Sequence, residues 1–372
     1  MATQVDTIRT GFPMPNFART SSYGKGITIS RAADEKSKEM HNNTNRVPVD
    51  FTKFYGIKPT NVDRRFDLIL SDLSYLPKVN NPRADWVVTA ALNAFRAYQS
   101  SGFNTVRRFA TVGTGSGTDV IAALDTFPAL DSVALTDMHD EVVNIAKLNV
   151  LSATERSEWS IRDIAQRSVA RAGDLLLPLR GEKQFDLIYE NLPNIPLPNQ
   201  GNLKNGQTSS TYVGDRSTDR IPATVSAALL ELHYVCLVEA KAFGLINPSG
   251  SVLSSVGGRV TLVDILSMAD LAGYTARILT LSWKEQSEPE SVIGGYADQE
   301  EKSGREFYFY PVAILEAVFE GRTPAGAGLC AEQIEQELVA KRLCATEALR
   351  KHQQGMKIGH TVVVVASTPK RS

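Results

Sequence analysis

The strongest constraint on the fold is a series of short apolar segments, each followed by a helical one, between residues 107 and 193. Arg107 to Gly113, Ser132 to Asp137 and Phe185 to Pro193 are predicted strands. A further strand is predicted to end near Asp174. Strands that alternate with helices form parallel sheets covered on both faces. The pattern therefore predicts a doubly wound α/β fold with a mostly parallel sheet.

The first of these strands leads into a glycine-rich loop, VGTGSGTD, at Val112 to Asp119. In an open parallel sheet, ligands bind beyond the carboxyl ends of the strands, and glycines let a ligand approach the backbone closely. A dinucleotide fingerprint has its third glycine at the sixth position, where this chain has Thr118. Asp137 closes the second strand about 20 residues later, where nucleotide-binding folds place an acid for ribose hydroxyls. The loop predicts a nucleotide-like ligand other than a dinucleotide, and a purely structural turn is the alternative.

The spacing Gly113-x-Gly115-x-Gly117 resembles motif I of the class I S-adenosylmethionine-dependent methyltransferases. The resemblance implies a Rossmann-like class I methyltransferase fold with S-adenosyl-L-methionine as the cofactor. It also implies that Asp174 contacts the adenine, since an acid after the third strand does so in that family; a helix cap is the alternative. The expected cofactor-binding residues lie on the glycine loop and at the next three strand ends: Gly113, Thr114, Gly115, Ser116, Gly117, Asp137, Met138, Asp174, Leu175 and Asn191.

The fourth predicted strand ends in Glu190-Asn191-Leu192-Pro193-Asn194. This segment resembles the Asn-Pro-Pro-Tyr element of methyltransferases that act on amide or amino nitrogens. Leu192 replaces the first proline and Asn194 replaces the tyrosine. The resemblance implies that Asn191 and Pro193 are the catalytic positions, and the missing ring argues against a nucleobase or a flat amide as the substrate. A proline-rich exit from the strand without a catalytic role is the alternative.

A larger set of matches runs from about residue 80 to residue 367. It consists of Asp85-Trp86, the glycine loop, the INPSG-to-GGR segment, the EFYFYP segment and the terminal GMKIGHTVVVVAS strand. Together these segments resemble the methionine S-methyltransferases, both the N-terminal portion of the plant enzymes and a stand-alone bacterial form. The resemblance implies methyl transfer from S-adenosyl-L-methionine to the thioether sulfur of L-methionine. The product, S-methyl-L-methionine, is a step towards dimethylsulfoniopropionate.

A thioether sulfur has no proton to lose, so its methylation needs no general base. We expect catalysis to rest on holding the two sulfur atoms and the methyl carbon in line, with aromatic faces and carbonyls stabilising the sulfonium charge. The five histidines are scattered, and we expect them on the surface or within helices rather than as bases: His41, His139, His233, His352 and His360.

An amino-acid substrate also needs partners for its carboxylate and its ammonium group. Arg259 follows two glycines at a strand end, and a guanidinium suits bidentate capture of a carboxylate; a surface ion pair is the alternative. Tyr308 and Tyr310 lie two apart, which predicts one shared strand face, either as substrate contacts or as core residues. Glu190 or one of the asparagines that follow it is expected to receive the ammonium. The expected substrate-binding residues are Asp85, Trp86, Glu190, Asn194, Tyr212, Arg259, Tyr308 and Tyr310.

Two parts are predicted along the chain. Residues 1–100 form an N-terminal arm and a helical lid region, in which Phe51 to Tyr98 is helical, and residues 101–372 form the methyltransferase domain. Pro196 to Ile221 is long, polar and rich in turn residues, which favours a functional loop. The segments GSVLSSVGGRV, EFYFYPVAI and HTVVVVAS are predicted strands, and Ala331 to His352 is a predicted charged helix.

The charge balance limits the partners. The chain has 40 Lys+Arg against 41 Asp+Glu, a formal net charge of −1, whereas nucleic-acid binders usually carry a basic face. It has no apolar run of about 20 residues, and its three cysteines include no C-x-x-C pair. We therefore expect a cytoplasmic protein that binds a small molecule rather than nucleic acid or a membrane. No metal is expected, and a homo-oligomer is compatible with the sequence.

Two other functions fit the same residues. One is an S-adenosylmethionine-dependent N-methyltransferase that acts on a protein glutamine or a small-molecule amine, which Asn191 at the end of the fourth strand favours. The other is a binding protein that keeps the cofactor pocket without turnover. A strong pH dependence of the rate would indicate a nitrogen acceptor, and a flat profile would indicate sulfur.

Overall fold

A computed structural model of the protein describes residues 46–102, 105–197, 211–213 and 220–371, all of which belong to one compact unit. The predicted N-terminal arm, residues 1 to about 45, lies outside the described residues. The predicted domain boundary after residue 100 falls within this unit and stays a prediction.

The described strands are β1 (Arg46–Asp50), β2 (Arg65–Ile69), β3 (Arg108–Val112), β4 (Ser132–Asp137), β5 (Val169–Ala172), β6 (Phe185–Glu190), β7 (Ile195–Leu197), β8 (Thr211–Val213), β9 (Ile246–Gly258), β10 (Tyr274–Glu285), β11 (Tyr310–Pro311) and β12 (Ile358–Pro369). The described α-helices are α1 (Phe51–Tyr55), α2 (Leu92–Ser100), α3 (Thr118–Thr126), α4 (Asp140–Ser152), α5 (Trp159–Arg167), α6 (Ala223–Ala227), α7 (Glu231–Ala242), α8 (Leu262–Leu271), α9 (Pro289–Ser303), α10 (Val312–Phe319), α11 (Pro324–Leu329), α12 (Ala331–Val339) and α13 (Ala345–Gln353). Shorter 3₁₀ turns lie at Pro82–Ala84 and Leu177–Leu179, and a π-helical turn lies at Val87–Ala91.

The central sheet has the strand order β10-β12-β9-β6-β3-β4-β5. Neighbouring strands from β9 to β5 are parallel, whereas β12 is antiparallel to both β9 and β10. From β3 the chain builds outward through β4 and β5, then returns to the other side of β3 with β6 and β9. The strand order therefore reverses between β3 and β6, which is where open α/β sheets bind their ligands. The prediction of a Rossmann-like, doubly wound and mostly parallel sheet is confirmed.

The apolar runs of the strands bury side chains on both faces of the sheet. On β6, Leu187 and Tyr189 belong to one hydrophobic core, and Ile188 between them belongs to the other. On β12, Val362 and Val363 divide in the same way. Helices α2 to α5 contribute to the first core and helices α7 to α10 to the second. Two buried faces explain why these strands read as continuous apolar segments rather than as alternating ones.

The prediction that Phe51 to Tyr98 is helical is correct at its ends and wrong in the middle. Helix α1 is short, and β2 follows it and pairs antiparallel with β1. In β2, buried Phe66 and Leu68 alternate with exposed charged residues, a period of two that favours a strand. The second half is helical as predicted, beginning with the π-helical turn and continuing as α2.

The prediction that EFYFYPVAI is a strand is wrong. Only Tyr310–Pro311 pairs with β12, and Val312 already begins α10. The aromatic residues favour a strand by propensity, but Phe307 and Phe309 are buried in the core, and Pro311 has no amide to donate to a ladder. The strand that fills this place in the sheet is β10, which the sequence reading did not identify.

Two further predictions are tested by the C-terminal half. The segment from Ala331 to His352 is not one helix, because α12 ends at Val339 and α13 begins at Ala345. Between them, Leu343 forms a β-bridge with Phe309, which needs extended backbone. In the predicted functional loop from Pro196 to Ile221, β8 pairs in parallel with β7 at the start of the loop. Residues 198–210 and 214–219 of this loop lie outside the described part of the chain. None of the described helices is long and apolar enough to span a membrane.

Candidate functional site

The glycine loop after β3 has the backbone that its sequence predicts. Gly113, Gly115 and Gly117 have φ values of 70°, 52° and 79°, a left-handed backbone conformation that residues other than glycine rarely adopt. Two amides of the loop donate to the carbonyl of Thr136 on β4, at 2.9 and 3.0 Å. A Cβ on Gly117 would lie 2.8 Å from the carbonyl oxygen of Ala146, so this glycine also lets the loop pack on α4. The loop is fixed to the sheet and to helix α4.

Gly115 is the point at which the loop faces open space. A Cβ built on it would meet no atom within 4 Å, and its amide donates to Asp137 Oδ2 at 3.0 Å. Burial raises the pKa of Asp137, which lies at the end of β4. The loop thus combines an open backbone face with a carboxylate beside it. The assignment of Asp137 to the ribose of a nucleoside cofactor stays a prediction.

The other side chains of the loop point into the protein. Thr114 and Ser116 are buried, and the Thr114 hydroxyl donates to Asp119 at 3.0 Å. Asp119 also accepts from Thr111 and from the amide of Val120 at 2.8 Å, and burial raises its pKa to about 6. Thr114 and Ser116 therefore reach a ligand only through their backbone atoms.

The end of β5 joins the same edge of the sheet. The amide of Gly173 donates to the carbonyl of Asp137 at 2.9 Å, which places Asp174 next to the end of β4. Leu175 has a φ of 43°, and its carbonyl accepts from the Thr136 hydroxyl at 3.1 Å. The predicted cofactor residues that follow β3, β4 and β5 thus lie together at the carboxyl edge of the sheet, where the Met138 side chain is exposed.

The segment after β6 lies directly against the glycine loop. A Cβ on Gly113 would be 3.3 Å from Leu192 Cδ2 and 3.6 Å from the carbonyl oxygen of Asn191. Asn191 and Pro193 are half-buried there, on the other side of the switch point. The structure therefore places the two predicted catalytic positions beside the predicted cofactor loop.

Glu190 does not face this space. It is fully buried, and both of its carboxylate oxygens lie 2.7–2.8 Å from His233 Nδ1 on α7. The other ring nitrogen of His233 lies 3.2 Å from the Asn194 amide nitrogen, which also donates to the carbonyl of Leu229 at 2.8 Å. Glu190 and Asn194 are therefore joined through a histidine that the sequence reading assigned no role.

Arg259 follows the end of β9 and is buried, with 2% of its surface exposed. Its guanidinium donates to Gln286 Oε1 at 2.7 Å and to the Tyr296 hydroxyl at 3.4 Å, and it lies over the rings of Tyr296 and Phe309. Burial lowers its pKa. In the described part of the chain no carboxylate forms an ion pair with it, and its Nε has no hydrogen-bond partner. A surface ion pair, the alternative for this arginine, is not what the structure shows.

Of the predicted Asp85-Trp86 pair, Trp86 lies close to Arg259. A Cβ on Gly257 would clash with Arg259 Nη1 and would lie 3.5 Å from Trp86 Cη2, so the glycine makes room for both side chains. Asp85 is buried and accepts from the amides of Lys78 and Val87, each at 2.8 Å. Asp85 thus organises the turn that places Trp86.

Two further titratable groups lie beside Trp86. Lys284 at the end of β10 is fully buried, with Nζ 5.0 Å from the centre of the Trp86 ring and 3.2 Å from Ser287 Oγ. Burial, and then the charge of Arg259, lower its pKa to about 7. His360 on β12 lies opposite Lys284 on β10 in the strand register. Burial and the positive charges of Arg259 and Lys284 hold the pKa of His360 well below the usual range. The prediction that the histidines lie on the surface or in helices is wrong for His360.

The predicted tyrosines lie at different places. Arg342 lies 4.0 Å over the Tyr308 ring, and burial raises the pKa of Tyr310, an effect that the nearby Arg342 opposes. The Tyr310 side chain lies near α12. The backbone amide of Tyr308 donates to the backbone carbonyl of Arg259 at 2.8 Å. The Tyr212 hydroxyl donates to Glu231 at 2.7 Å. The aromatic contacts of Arg259 come instead from Tyr296 and Phe309.

Three described residues other than glycine have positive φ values: Leu175, Leu229 and Glu288. Bulky side chains rarely adopt this conformation, and such residues cluster at ligand sites. Leu175 follows the predicted adenine contact, and the Leu229 carbonyl binds Asn194. Glu288 immediately precedes α9, and its Oε1 lies 3.1 Å from Lys78 Nζ. The three lie around the candidate site, which agrees with a functional role for this edge of the sheet.

Comparisons with known proteins identify structures of similar fold. No family model matches the chain, and no curated protein sequence is significantly similar to it. A precorrin-6y C5,15-methyltransferase from Geobacter metallireducens covers 79% of this chain and 90% of its own, with 7% identity and a TM-score of 0.34. A precorrin 8W decarboxylase from Methanobacterium thermoautotrophicum covers 59% and 88%, with 10% identity and a TM-score of 0.30. The METTL16 methyltransferase domain covers 64% and 71%, with 13% identity and a TM-score of 0.35. At these values the likeness does not extend to substrates or residue roles.

Proposed function

We propose that this protein is an S-adenosyl-L-methionine-dependent methyltransferase whose methyl acceptor is the thioether sulfur of L-methionine. The observation that carries the choice of substrate is Arg259, a buried guanidinium held only by neutral described partners. The glycine loop, open at Gly115 and flanked by Asp137, supports the choice of cofactor. Both features lie at the carboxyl edge of one sheet, on the two sides of Asn191.

Arg259 supports a carboxylate ligand on energetic grounds. A buried charge without a counter-ion is costly, because the interior solvates it poorly. Gln286 and Tyr296 orient the guanidinium but carry no negative charge, and Nε is left without a described partner. A substrate carboxylate would supply the missing charge and accept a bidentate pair of hydrogen bonds. Lys284 adds a second positive charge near the same place.

The cofactor, when bound, supplies an electrophilic methyl group on a sulfonium sulfur. The residues of this chain then have to bind and orient, because a thioether carries a free lone pair and no proton. The new carbon–sulfur bond forms from that lone pair, and the electrons of the broken bond stay on the donor sulfur. One positive charge is present before and after transfer. We assign the alignment of the two sulfur atoms to the segment Asn191 to Pro193, in which Asn191 and Leu192 lie against the glycine loop. Orientation of this kind accounts for a large part of the rate in such reactions.

The proposal is tested by removing Arg259 from the protein and the carboxylate from the substrate, and by measuring KM in each combination. In Arg259→Gln, KM for L-methionine should rise at least about 10-fold, because a charge-assisted pair is lost. KM for L-methioninol, which lacks the carboxylate, should stay within about 3-fold in the same variant. Arg350→Gln, at an exposed position on α13, is the control for loss of a positive charge. An unchanged KM for methionine in Arg259→Gln would remove the carboxylate assignment.

Methylation of an amine is the second candidate, which Asn191 after β6 favours. A sulfur acceptor and an amine acceptor are distinguished by measuring kcat at a saturating acceptor concentration between pH 7 and pH 9. A thioether does not titrate, so kcat should be flat, whereas an amine gains reactivity as it loses its proton. KM is not suitable for this comparison, because a Lys284 with a pKa of about 7 is expected to change carboxylate affinity in the same range. Tight cofactor binding without turnover of either acceptor would indicate a binding protein.

A further inference from the structure

The buried link between Glu190, His233 and Asn194 fixes where the protons lie. The carbonyl of Leu229 only accepts hydrogen bonds, and it lies 2.8 Å from the Asn194 amide nitrogen. The amide group must therefore point its NH₂ towards Leu229, and the same NH₂ faces His233 Nε2 at 3.2 Å. A donor facing Nε2 requires a lone pair there, so the proton of the neutral ring is on Nδ1 and is donated to Glu190.

This arrangement leaves one atom of Asn194 for a ligand. With its NH₂ directed at Leu229 and His233, the Oδ1 of Asn194 points away from both of them. None of the residues that the structure describes donates a hydrogen bond to this oxygen. Asn194 itself is half-buried, three residues after Asn191 and two after Leu192, which faces the glycine loop. A neutral acceptor at this position is suited to an ammonium group.

The same segment is connected to the arginine site through α9. A Cβ on Gly295 would lie 2.9 Å from Ile195 Cδ1, so α9 packs directly on the residue that follows Asn194. The next residue of α9, Tyr296, contacts the Arg259 guanidinium. The two candidate sites are thus attached to one helix, as binding of the carboxylate and ammonium groups of a single amino acid requires.

We propose that His233 is a positioning residue, which holds the Asn194 amide so that Oδ1 accepts a hydrogen bond from the ammonium group of the methyl acceptor. The inference rests on the proposed function. It removes Glu190 from direct contact with the substrate, since its carboxylate is fully buried against His233. It also explains the left-handed Leu229, whose φ of 55° turns its carbonyl towards Asn194.

Two substitutions at His233 separate its two hydrogen bonds. An asparagine nitrogen can replace Nδ1, so His233→Asn keeps the bond to Glu190 and loses the bond to Asn194. A glutamine oxygen can replace Nε2, so His233→Gln keeps the bond to Asn194. The inference predicts that KM for L-methionine rises about 10-fold or more in His233→Asn, and that it stays within about 3-fold in His233→Gln. The Kd of S-adenosyl-L-methionine, measured by calorimetry, should stay within about 2-fold in both.

The analogue 4-(methylthio)butanoate, which lacks the amino group, distinguishes positioning from a general loss of structure. Its inhibition constant against methionine should be the same in wild type and in His233→Asn. Asn194→Ala, at a half-buried loop position, should raise KM for methionine and spare the analogue even if the His233 variants fold poorly. The inference is overturned if His233→Asn weakens methionine and the analogue equally, or if Asn194→Ala leaves KM for methionine unchanged while wild type turns it over. Wild-type protein that does not methylate methionine would overturn the proposed function itself, and the inference with it.

Discussion

Replacing Lys284 by methionine removes a buried charge while keeping most of the side-chain volume. The lysine is fully buried, its charged neighbours are Arg259, Asp85, Lys78 and Glu288, and its pKa is lowered from 10.5 to about 7. The unfolded chain therefore binds more protons than the folded protein between pH 7 and pH 10.5. The free energy of unfolding rises with pH in that window as a result, and the lysine weakens the fold most at pH 7 and below.

The magnitude follows from the two pKa values. Each unit of difference corresponds to about 1.4 kcal/mol, so the contribution of Lys284 should change by about 2 kcal/mol from pH 7 to pH 9. At pH 7, Lys284→Met should be more stable than wild type by up to about 4 kcal/mol, the upper bound that the difference between the two pKa values sets. The gain should shrink by about 2 kcal/mol at pH 9, where the native lysine is largely neutral.

The assay is urea unfolding at pH 7, 8 and 9 for the wild type, Lys284→Met and the surface control Lys357→Met. Subtracting the wild type cancels the titration of charged residues that do not interact with Lys284. KM for methionine should rise in Lys284→Met even as stability increases. A variant that is less stable at pH 7, or a stability difference that does not change from pH 7 to pH 9, would refute the reasoning about this charge.

Four other substitutions test the loop and its supports. Gly117→Ala should lower the free energy of unfolding by about 1–3 kcal/mol, since it combines a left-handed φ with a 2.8 Å approach to Ala146, whereas Gly115→Ala should mainly weaken cofactor binding in calorimetry. Asn149→Ala, which removes bonds of 2.7 to 2.9 Å to Ile69 and to the loop, should cost about 2–4 kcal/mol in urea unfolding; a loss below about 0.5 kcal/mol would contradict this. Asp137→Ala should raise the Kd of S-adenosyl-L-methionine at least about 10-fold, and an unchanged Kd would exclude the ribose role.

The features that the sequence predicts correctly are those set by local chemistry. The glycine loop is recognisable because three closely spaced left-handed residues require glycine, and the strand-helix alternation because both faces of the sheet are buried. The position of Asp137 beside the loop is predictable from its distance along the chain. These signals are present within about 30 residues of sequence, and the structure shows the same elements with small shifts at their ends.

The features that could not be predicted depend on distant parts of the chain. The aromatic EFYFYP segment has strand propensity, but packing of Phe307 and Phe309 in the core decides its conformation. Strand β10 mixes apolar residues with charged and hydroxyl residues, and a fully buried lysine such as Lys284 is unusual. His233 gives no local signal at all, because its role arises from contacts with Glu190 and Asn194, about 40 residues earlier in the chain.

Methyl transfer itself provides the most direct test of the central claim. The protein is incubated with S-adenosyl-L-methionine carrying a ¹³C-labelled methyl group and with L-methionine, and the products are resolved by mass spectrometry with fragmentation. We predict labelled S-methyl-L-methionine and an equal amount of S-adenosyl-L-homocysteine, both reduced in Arg259→Gln at methionine concentrations below the wild-type KM. Label on a nitrogen, label on the protein, or cofactor bound without transfer would contradict the account.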